Sequence, residues 1–237
     1  MHLLQFSTSH YCRKARLALG YKGCSYTIEN LTPGLHVFKL KPLTQCTTVP
    51  VLIDEVKDER TDRDRASTVI TDSSRILAYL DRRYPAPKLI PEHRDQRDRA
   101  LQLEDWLDES IGTATRFVYY QYRATEGKAI NPSWMSMAVI AIVRQQYGIN
   151  ATTAKLAAAR LDLALPWLDR TWQDHGFLVG DALSVADIAA AALLSPLALL
   201  PTYREPYPAL FDRIAAIHTI CNEPLPPGLS PSDQSKR

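Results

Sequence analysis

Between Tyr84 and Pro91 the chain carries three prolines in eight residues, and the spacing of its apolar side chains differs on the two sides of that break. Ahead of it, short apolar runs of strand length alternate with one-faced helical patterns. After it, nearly every stretch repeats at the helical period. A single sheet or a single bundle cannot satisfy both periods. Two domains are therefore expected: an α/β domain over residues 1–86 and an all-helical bundle over 92–222. The length of 237 residues suits that division. The final stretch, 223–237, holds Pro224, Pro226, Pro227, Pro231 and three serines, and is read as a disordered tail.

In the first domain Leu3–Phe6 reads as a buried strand, followed by a helix over Ser9–Gly20. That helix sets Ala15, Ala18 and Leu19 on one face and Arg13, Lys14 and Arg16 elsewhere. Ser25–Leu31, Val49–Asp54 and Thr68–Thr71 read as three further strands, and Ser73–Arg83 as a helix that stops ahead of Pro85. Two strands in succession after an alternating start imply a mixed four-stranded sheet. The segment between Leu31 and Thr48 shows no pattern, and the stretch between Asp54 and Ala66, dense in both charge signs, is read as an exposed loop.

Beyond the break, one long amphipathic helix covers Asp95–Tyr122, carrying Leu103, Trp106, Leu107 and Ile111. Helices over Ser133–Tyr147, Thr153–Trp172, Ser184–Leu199 and Pro208–Cys221 follow. Pro166 should kink or split the third of these five helices, and the very apolar fourth should lie at the centre of the domain.

Composition removes several function classes. The formal net charge is +2, and basic residues alternate with acids, as in Asp95-Gln96-Arg97-Asp98-Arg99. Nothing so balanced calls for nucleic acid or an anionic membrane as partner. Cys12, Cys24, Cys46 and Cys221 lack metal-ligand spacing and form no disulfide framework, so no metal is expected and a reducing compartment is. The N-terminus reads as a strand rather than a signal peptide. The longest apolar stretch, Ile188–Leu200, is broken by Ser195 and Pro196 and is too short to span a bilayer. A cytoplasmic location follows as the expectation.

Three short segments carry chemistry. Ser9-His10-Tyr11-Cys12 stands between the first strand and the first helix. A helix N-terminus there favours negative charge, and a hydroxyl can donate to a thiolate that would otherwise be protonated, since a free thiol has a pKa of about 8.5. Ser9 reads equally as the plain N-cap of the helix, and the two roles are compatible. The second segment is Thr48-Val49-Pro50-Val51-Leu52. A cis Val49–Pro50 bond would turn the Val49 backbone outward to pair with a bound peptide; an ordinary trans edge proline is the other reading. The third, Thr71-Asp72-Ser73-Ser74, is a capping segment or a site for an amino-acid head group. In the second case Ser73 and the helical N–H groups would hold the carboxylate, and Asp72 the ammonium. A fourth motif, Ser184-Val185-Ala186-Asp187, is a capping box with no catalytic role. The first three converge on a ligand with a thiol, a peptide bond and an amino-acid terminus, and glutathione has all three.

With Ser9-x-x-Cys12-Arg13-Lys14-Ala15-Arg16-Leu17, Val49-Pro50-Val51-Leu52, Asp72-Ser73-Ser74-Arg75-Ile76-Leu77 and Phe177-Leu178-Val179-Gly180-Asp181 running into the capping box, the chain resembles the cytosolic glutathione transferases of the serine type. The resemblance implies a thioredoxin-like first domain, a helical second domain and a homodimer. It implies Ser9 as the residue that activates glutathione. Val49 and Pro50 would hold its cysteinyl part, and Asp72 and Ser73 its γ-glutamyl end. Lys39, Lys41 or Gln45 would take the glycyl carboxylate. The implied activity is conjugation of glutathione to a small, mostly apolar electrophile, with Tyr119, Tyr120, Tyr122 and Arg123 placed either to line that pocket or to pack in the core. Glutathione-dependent peroxidase, thiol reductase or dehalogenase chemistry is an alternative, with Cys12 at the inward position of the redox motif. A non-enzymatic interaction protein on the same fold is another.

Overall fold

The computed structural model describes residues 1–56 and 66–229. The charged stretch read as an exposed loop falls, over 57–65, outside the described residues, as do tail residues 230–237.

The first unit holds residues 1–90 together with 220–223, and the second holds 91–219 with the residues from 224 onward. In the first, β1 (His2–Gln5) is followed by α1 (His10–Tyr21), β2 (Thr27–Asn30), α2 (His36–Thr44), β3 (Val51–Val56), β4 (Ala66–Thr71) and α3 (Ser73–Arg83). The sheet runs β2-β1-β3-β4, with β1 parallel to β2 and antiparallel to β3, and β3 antiparallel to β4. This is the mixed four-stranded, thioredoxin-like sheet that the sequence implies.

Register decides what each face buries. Leu4 pairs with Val51, and Ile53 with Val69, so these side chains share one face. Leu40 of α2 closes over them in a cluster joined by Leu31 and Val49. Leu3, Leu52 and Ile70 share the opposite face, where α3 reaches β3 through a Tyr79 hydroxyl that donates to Asp54 at 2.6 Å. The helix α2 corrects the reading of 31–48 as patternless. It buries only Leu40, holds Pro42 inside and has no side-chain cap, so its sequence carries little periodicity. On α1, Arg13, Lys14 and Arg16, away from the Ala15, Ala18 and Leu19 face, are buried as well, and the Arg16 guanidinium donates to Gln5 at 2.5 Å and to Glu223 at 2.6 Å.

Of the stretch read as a disordered tail, residues 223–229 are held by contacts to the rest of the chain. Glu223 is held in a shielded ion pair, Leu229 is buried, and Gly228, at φ +90°, lies against the Ala198 carbonyl with no room for a Cβ. The reading followed proline content, which cannot register contacts to residues two hundred positions away.

In the second unit α4 (Arg94–Trp106) runs through a π-helical turn, Leu107–Ile111, into α5 (Gly112–Ala124). After a 3₁₀ turn at Glu126–Ile130 come α6 (Trp134–Tyr147) and α7 (Ala151–His175). The helix α7 passes Pro166 without splitting. Pro166 has no N–H to offer the Asp162 carbonyl one turn back, and Asp162 lies on the exposed side of the helix. Helix α8 (Val185–Leu194) is buried along its whole length and ends in a 3₁₀ turn at Ser195–Leu199, one turn earlier than the expected Leu199. A single turn, α9 (Pro201–Arg204), leads to α10 (Pro208–Ile220). Asp187 knots this unit together. One oxygen accepts from Trp172 Nε1 at 2.8 Å and Leu178 N at 2.9 Å, the other from the Ser184 backbone and hydroxyl at 3.0 and 2.9 Å.

Candidate functional site

The strand register gathers the three segments singled out in the sequence. Leu4 stands opposite Val51, and Val51 opposite Thr71. The chain leaving β1 toward Ser9, the chain entering β3 through Val49–Pro50 and the chain leaving β4 into Asp72–Ser73 therefore all emerge at one end of the sheet, on three adjacent strands. Asn30 at the end of β2 lies beside Gln5 at that same end, and Phe6 meets His36 of α2 edge-on, ring centroids 4.9 Å apart.

Ser9 is the N-cap of α1. Its extended backbone (φ −72°, ψ 124°) aims the side-chain oxygen back at the first turn, where it accepts from Cys12 N at 3.3 Å. Ser9 is half-buried. An oxygen that accepts at the cap keeps its own proton to donate. The neighbouring Cys12 thiol is buried, and burial pushes it above its usual range although the Ser9 hydroxyl opposes the shift. Cys12 is thus a protonated, inward-facing thiol, as its place in the motif suggested.

The Val49–Pro50 peptide is cis. Pro50 is buried, and the Val49 side chain packs against the cluster of Leu4, Leu40 and Val51.

At the head of α3, Asp72 has φ +72°, a conformation that costs an L-residue about 1–3 kcal/mol and that gathers at functional sites. The same residue caps the helix, accepting from Arg75 N at 3.1 Å, and its side chain is exposed. Ser73, the first residue of the helix, is 1% exposed, and its hydroxyl has no hydrogen-bond partner among the described residues. Beside it the Ser74 hydroxyl accepts from Lys14 Nζ at 3.0 Å. Lys14 is fully buried on α1.

The other nominated residues lie as follows. Lys39 is engaged by both oxygens of Glu29 at 2.6 Å, and that ion pair, with His2 beside it, holds the Glu29 carboxyl below its usual range. Lys41 and Gln45 are exposed at the end of α2, where Gln45 is left-handed at φ 59°. Arg123 is buried within the helical unit. Its guanidinium donates to the Gly127 and Asn131 carbonyls, to the Tyr119 hydroxyl at 3.0 Å and to Ser136 at 3.2 Å, tying α5 to the turn after it and to α6. Tyr119 and Tyr120 meet edge-on at 5.3 Å, and burial pushes the Tyr120 hydroxyl up to about 12, keeping it neutral. Tyr122 lies half-buried on the same helix. A cavity of about 320 Å³ in this unit is lined by other residues: Arg99, Gln102, Leu103, Trp106, Leu163 and Trp167. Among the described residues no cluster of His, Cys, Asp or Glu could hold a metal, and no helix is long and apolar enough to cross a membrane.

A thioredoxin-like sheet with a capped serine after β1, a cis-proline before β3 and an acid–serine pair opening α3, joined to a helical unit with a buried capping box, defines a class of protein. The chain belongs to the glutathione S-transferase superfamily: residues 3–88 match the family's N-terminal domain and residues 131–215 its C-terminal domain. Among curated relatives, a stringent starvation protein A homolog from Pasteurella multocida is 32% identical over 111 residues, 45% of this chain and 47% of that protein. Glutathione S-transferase Z1 from Arabidopsis thaliana is 32% identical over 107 residues, 44% of this chain and 42% of that one. The matched stretch thus spans less than half the length of either relative. Among solved structures, a glutathione S-transferase from Methylobacillus flagellatus KT with glutathione bound superposes with a TM-score of 0.65 at 23% identity, covering 92% of this chain and 94% of that one. At that identity the likeness speaks for the fold.

Proposed function

We propose that the protein binds glutathione at the end of its sheet where β1, β3 and β4 open, and transfers the glutathione thiolate to a small, mostly apolar electrophile. The observation that carries this reading is the Ser73 hydroxyl, buried at the head of α3 beside a left-handed Asp72 and without a hydrogen-bond partner among the described residues. A buried hydroxyl without a partner costs stability unless a ligand completes it. A carboxylate held by the first N–H groups of the helix would do so, with Asp72 close enough to meet an ammonium on the same carbon.

In this reading the peptide of glutathione runs along Val49, and its sulfur lies at Ser9. The Ser9 hydroxyl and the α1 N-terminus stabilise the thiolate, and proximity to the electrophile supplies much of the rate. The glycyl carboxylate falls to Lys41 or Gln45, because Lys39 is occupied by Glu29. The tyrosine and arginine cluster on α5 serves packing more than substrate contact, because Arg123 spends its donors inside its own unit. The test is turnover of glutathione with an aryl halide and an organic peroxide. Conjugation that falls strongly in Ser9→Ala, with the fold unchanged, supports the proposal; full activity in that variant removes Ser9 from the mechanism.

We place the partner of a homodimer on the exposed apolar face of α4 and α7, where Leu163 is 81% and Leu156 66% exposed beside the tryptophan-lined cavity. Leu163→Glu should move the protein toward monomer in sedimentation velocity. A second reading, a transferase fold used for interaction without catalysis, is favoured by the similarity to a stringent starvation protein A homolog. A folded dimer with no affinity for glutathione would decide for it.

A further inference from the structure

We propose that α6 and its flanks form a docking surface on which the protein rests, peripherally, against an anionic lipid bilayer. From Trp134 to Val143 the helix carries no charged residue, and it is apolar nearly all round. A helix of that kind is ordinarily enclosed on every side, yet α6 buries only Ile140. One side is tied to α5: Ser136 accepts from Arg123 at 3.2 Å, and Arg144 donates to Gln121 at 3.1 Å. The other side presents Trp134, Ala138, Ala141, Ile142 and Gln145 at successive turns. All five are exposed, Trp134 by 78% and Ile142 by 57%. A contiguous apolar stripe of this sort marks a surface that something else covers.

Charge identifies the occupant. Residues 127–161 contain no Asp or Glu, in a chain that holds 26 of them among 237 residues. The same stretch carries Lys128, Arg144, Lys155 and Arg160, and the two lysines and Arg160 are exposed. The net charge of +2 for the whole chain hides this local excess, because acids elsewhere offset it. Cations flanking an exposed apolar stripe match a layer with negative headgroups over a hydrocarbon interior. Trp134 and Tyr147 stand at the two ends of the helix, and aromatic rings with a polar edge settle at that boundary. A second copy of the chain fits less well. A helix of 14 residues is about 21 Å long, and a stripe about 10 Å wide along it falls far short of the about 800 Å² per partner that a stable interface buries. A nucleic acid would leave the apolar stripe in water. The helix is also too short to cross a hydrocarbon core of about 30 Å, so the contact is peripheral. Ser133 caps its start, accepting from Ser136 N at 3.3 Å, and a left-handed Gly148 ends it. The surface is therefore preformed, and docking orders no new helix.

The test is flotation of the full-length protein with vesicles of phosphatidylcholine alone, or with about one-third phosphatidylserine. The wild type should float with the anionic vesicles, and its affinity should fall at least about tenfold as salt rises from about 0.05 to about 0.5 M. Its tryptophan emission should move to shorter wavelength on binding. Trp134→Asp and Ile142→Asp, both at exposed positions, should each weaken binding about tenfold or more. Lys128→Glu combined with Lys155→Glu should weaken it as strongly, whereas the same reversal at Arg82 and Arg94, elsewhere in the chain, should leave most of it. Equal losses in the two charge-reversed pairs overturn the proposal. So does binding to anionic vesicles that Trp134→Asp leaves intact, or a wild type that binds neither vesicle. A wild type that ignores vesicles but self-associates through Trp134 assigns the face to a protein partner and overturns the lipid assignment.

Discussion

Val51 pairs with Thr71 across the β3–β4 ladder, and the residues just outside that pair are the cis-proline Pro50 and the left-handed Asp72. One rung of a sheet thus sets the spacing between the segment expected to hold the peptide of the ligand and the segment expected to hold its amino-acid end. Ser73→Ala should lower glutathione affinity about tenfold, as for loss of one hydrogen bond to a charged group. Stability should stay the same or rise slightly, because the hydroxyl has no partner among the described residues to lose. Calorimetry together with urea unfolding separates the two effects.

Lys22 and Asp81 form an ion pair of 2.7 Å in which both side chains are almost fully shielded. The same ammonium donates to the Tyr84 carbonyl at 2.7 Å and to the Pro87 carbonyl, while Asp81 accepts from Leu89 N. The pair therefore fastens the proline-rich stretch to α1 and α3. Lys22→Met leaves a buried carboxylate unpaired and should cost about 3–5 kcal/mol. Pairing it with Asp81→Leu should return part of that loss in equilibrium unfolding.

Cysteine reactivity should follow burial. Cys46 is exposed, whereas Cys12 and Cys221 are buried with their thiols pushed up by burial, Cys221 to about 12. An aromatic disulfide reagent at pH 8 should modify Cys46 first, and Cys46→Ser should remove the fast phase. Cys12 should react only on unfolding, which also argues against a thiol-redox role for it.

Asp187 gives a pH signature. Burial raises its pKa above 3.8 despite four hydrogen bonds that oppose the shift. A carboxyl raised in the folded state contributes most below its unfolded value, and that contribution is lost as pH rises through the folded value. The stability difference between wild type and Asp187→Asn should therefore shrink as pH rises from about 3.5 toward neutrality, read from urea unfolding at each pH.

The readable parts of the sequence were those where one local signal sufficed. Ser73–Arg83 is legible to the residue because Asp72 caps it and Pro85 lies beyond it. Asp187 was legible as a capping box, though not as the acceptor for Trp172. The helix α2 was missed because a single buried leucine makes no period. The anchoring of Glu223 by Arg16 and the burial of Lys14 depend on contacts far apart in sequence, which no local pattern encodes. Ser9, Val49 and Ser73 could be nominated from local motifs, but only the register of β1, β3 and β4 brings them to one end of the sheet.

The central claim is that Ser9 and the head of α1 keep a borrowed thiol ionised. The direct measurement is the ultraviolet thiolate absorbance of glutathione bound to the protein, titrated from pH 5 to 10. The bound thiol should titrate with a pKa about two units below the free value of about 8.5, moving back toward it in Ser9→Ala. A bound thiol that titrates as it does in free solution, with or without the Ser9 hydroxyl, would contradict it.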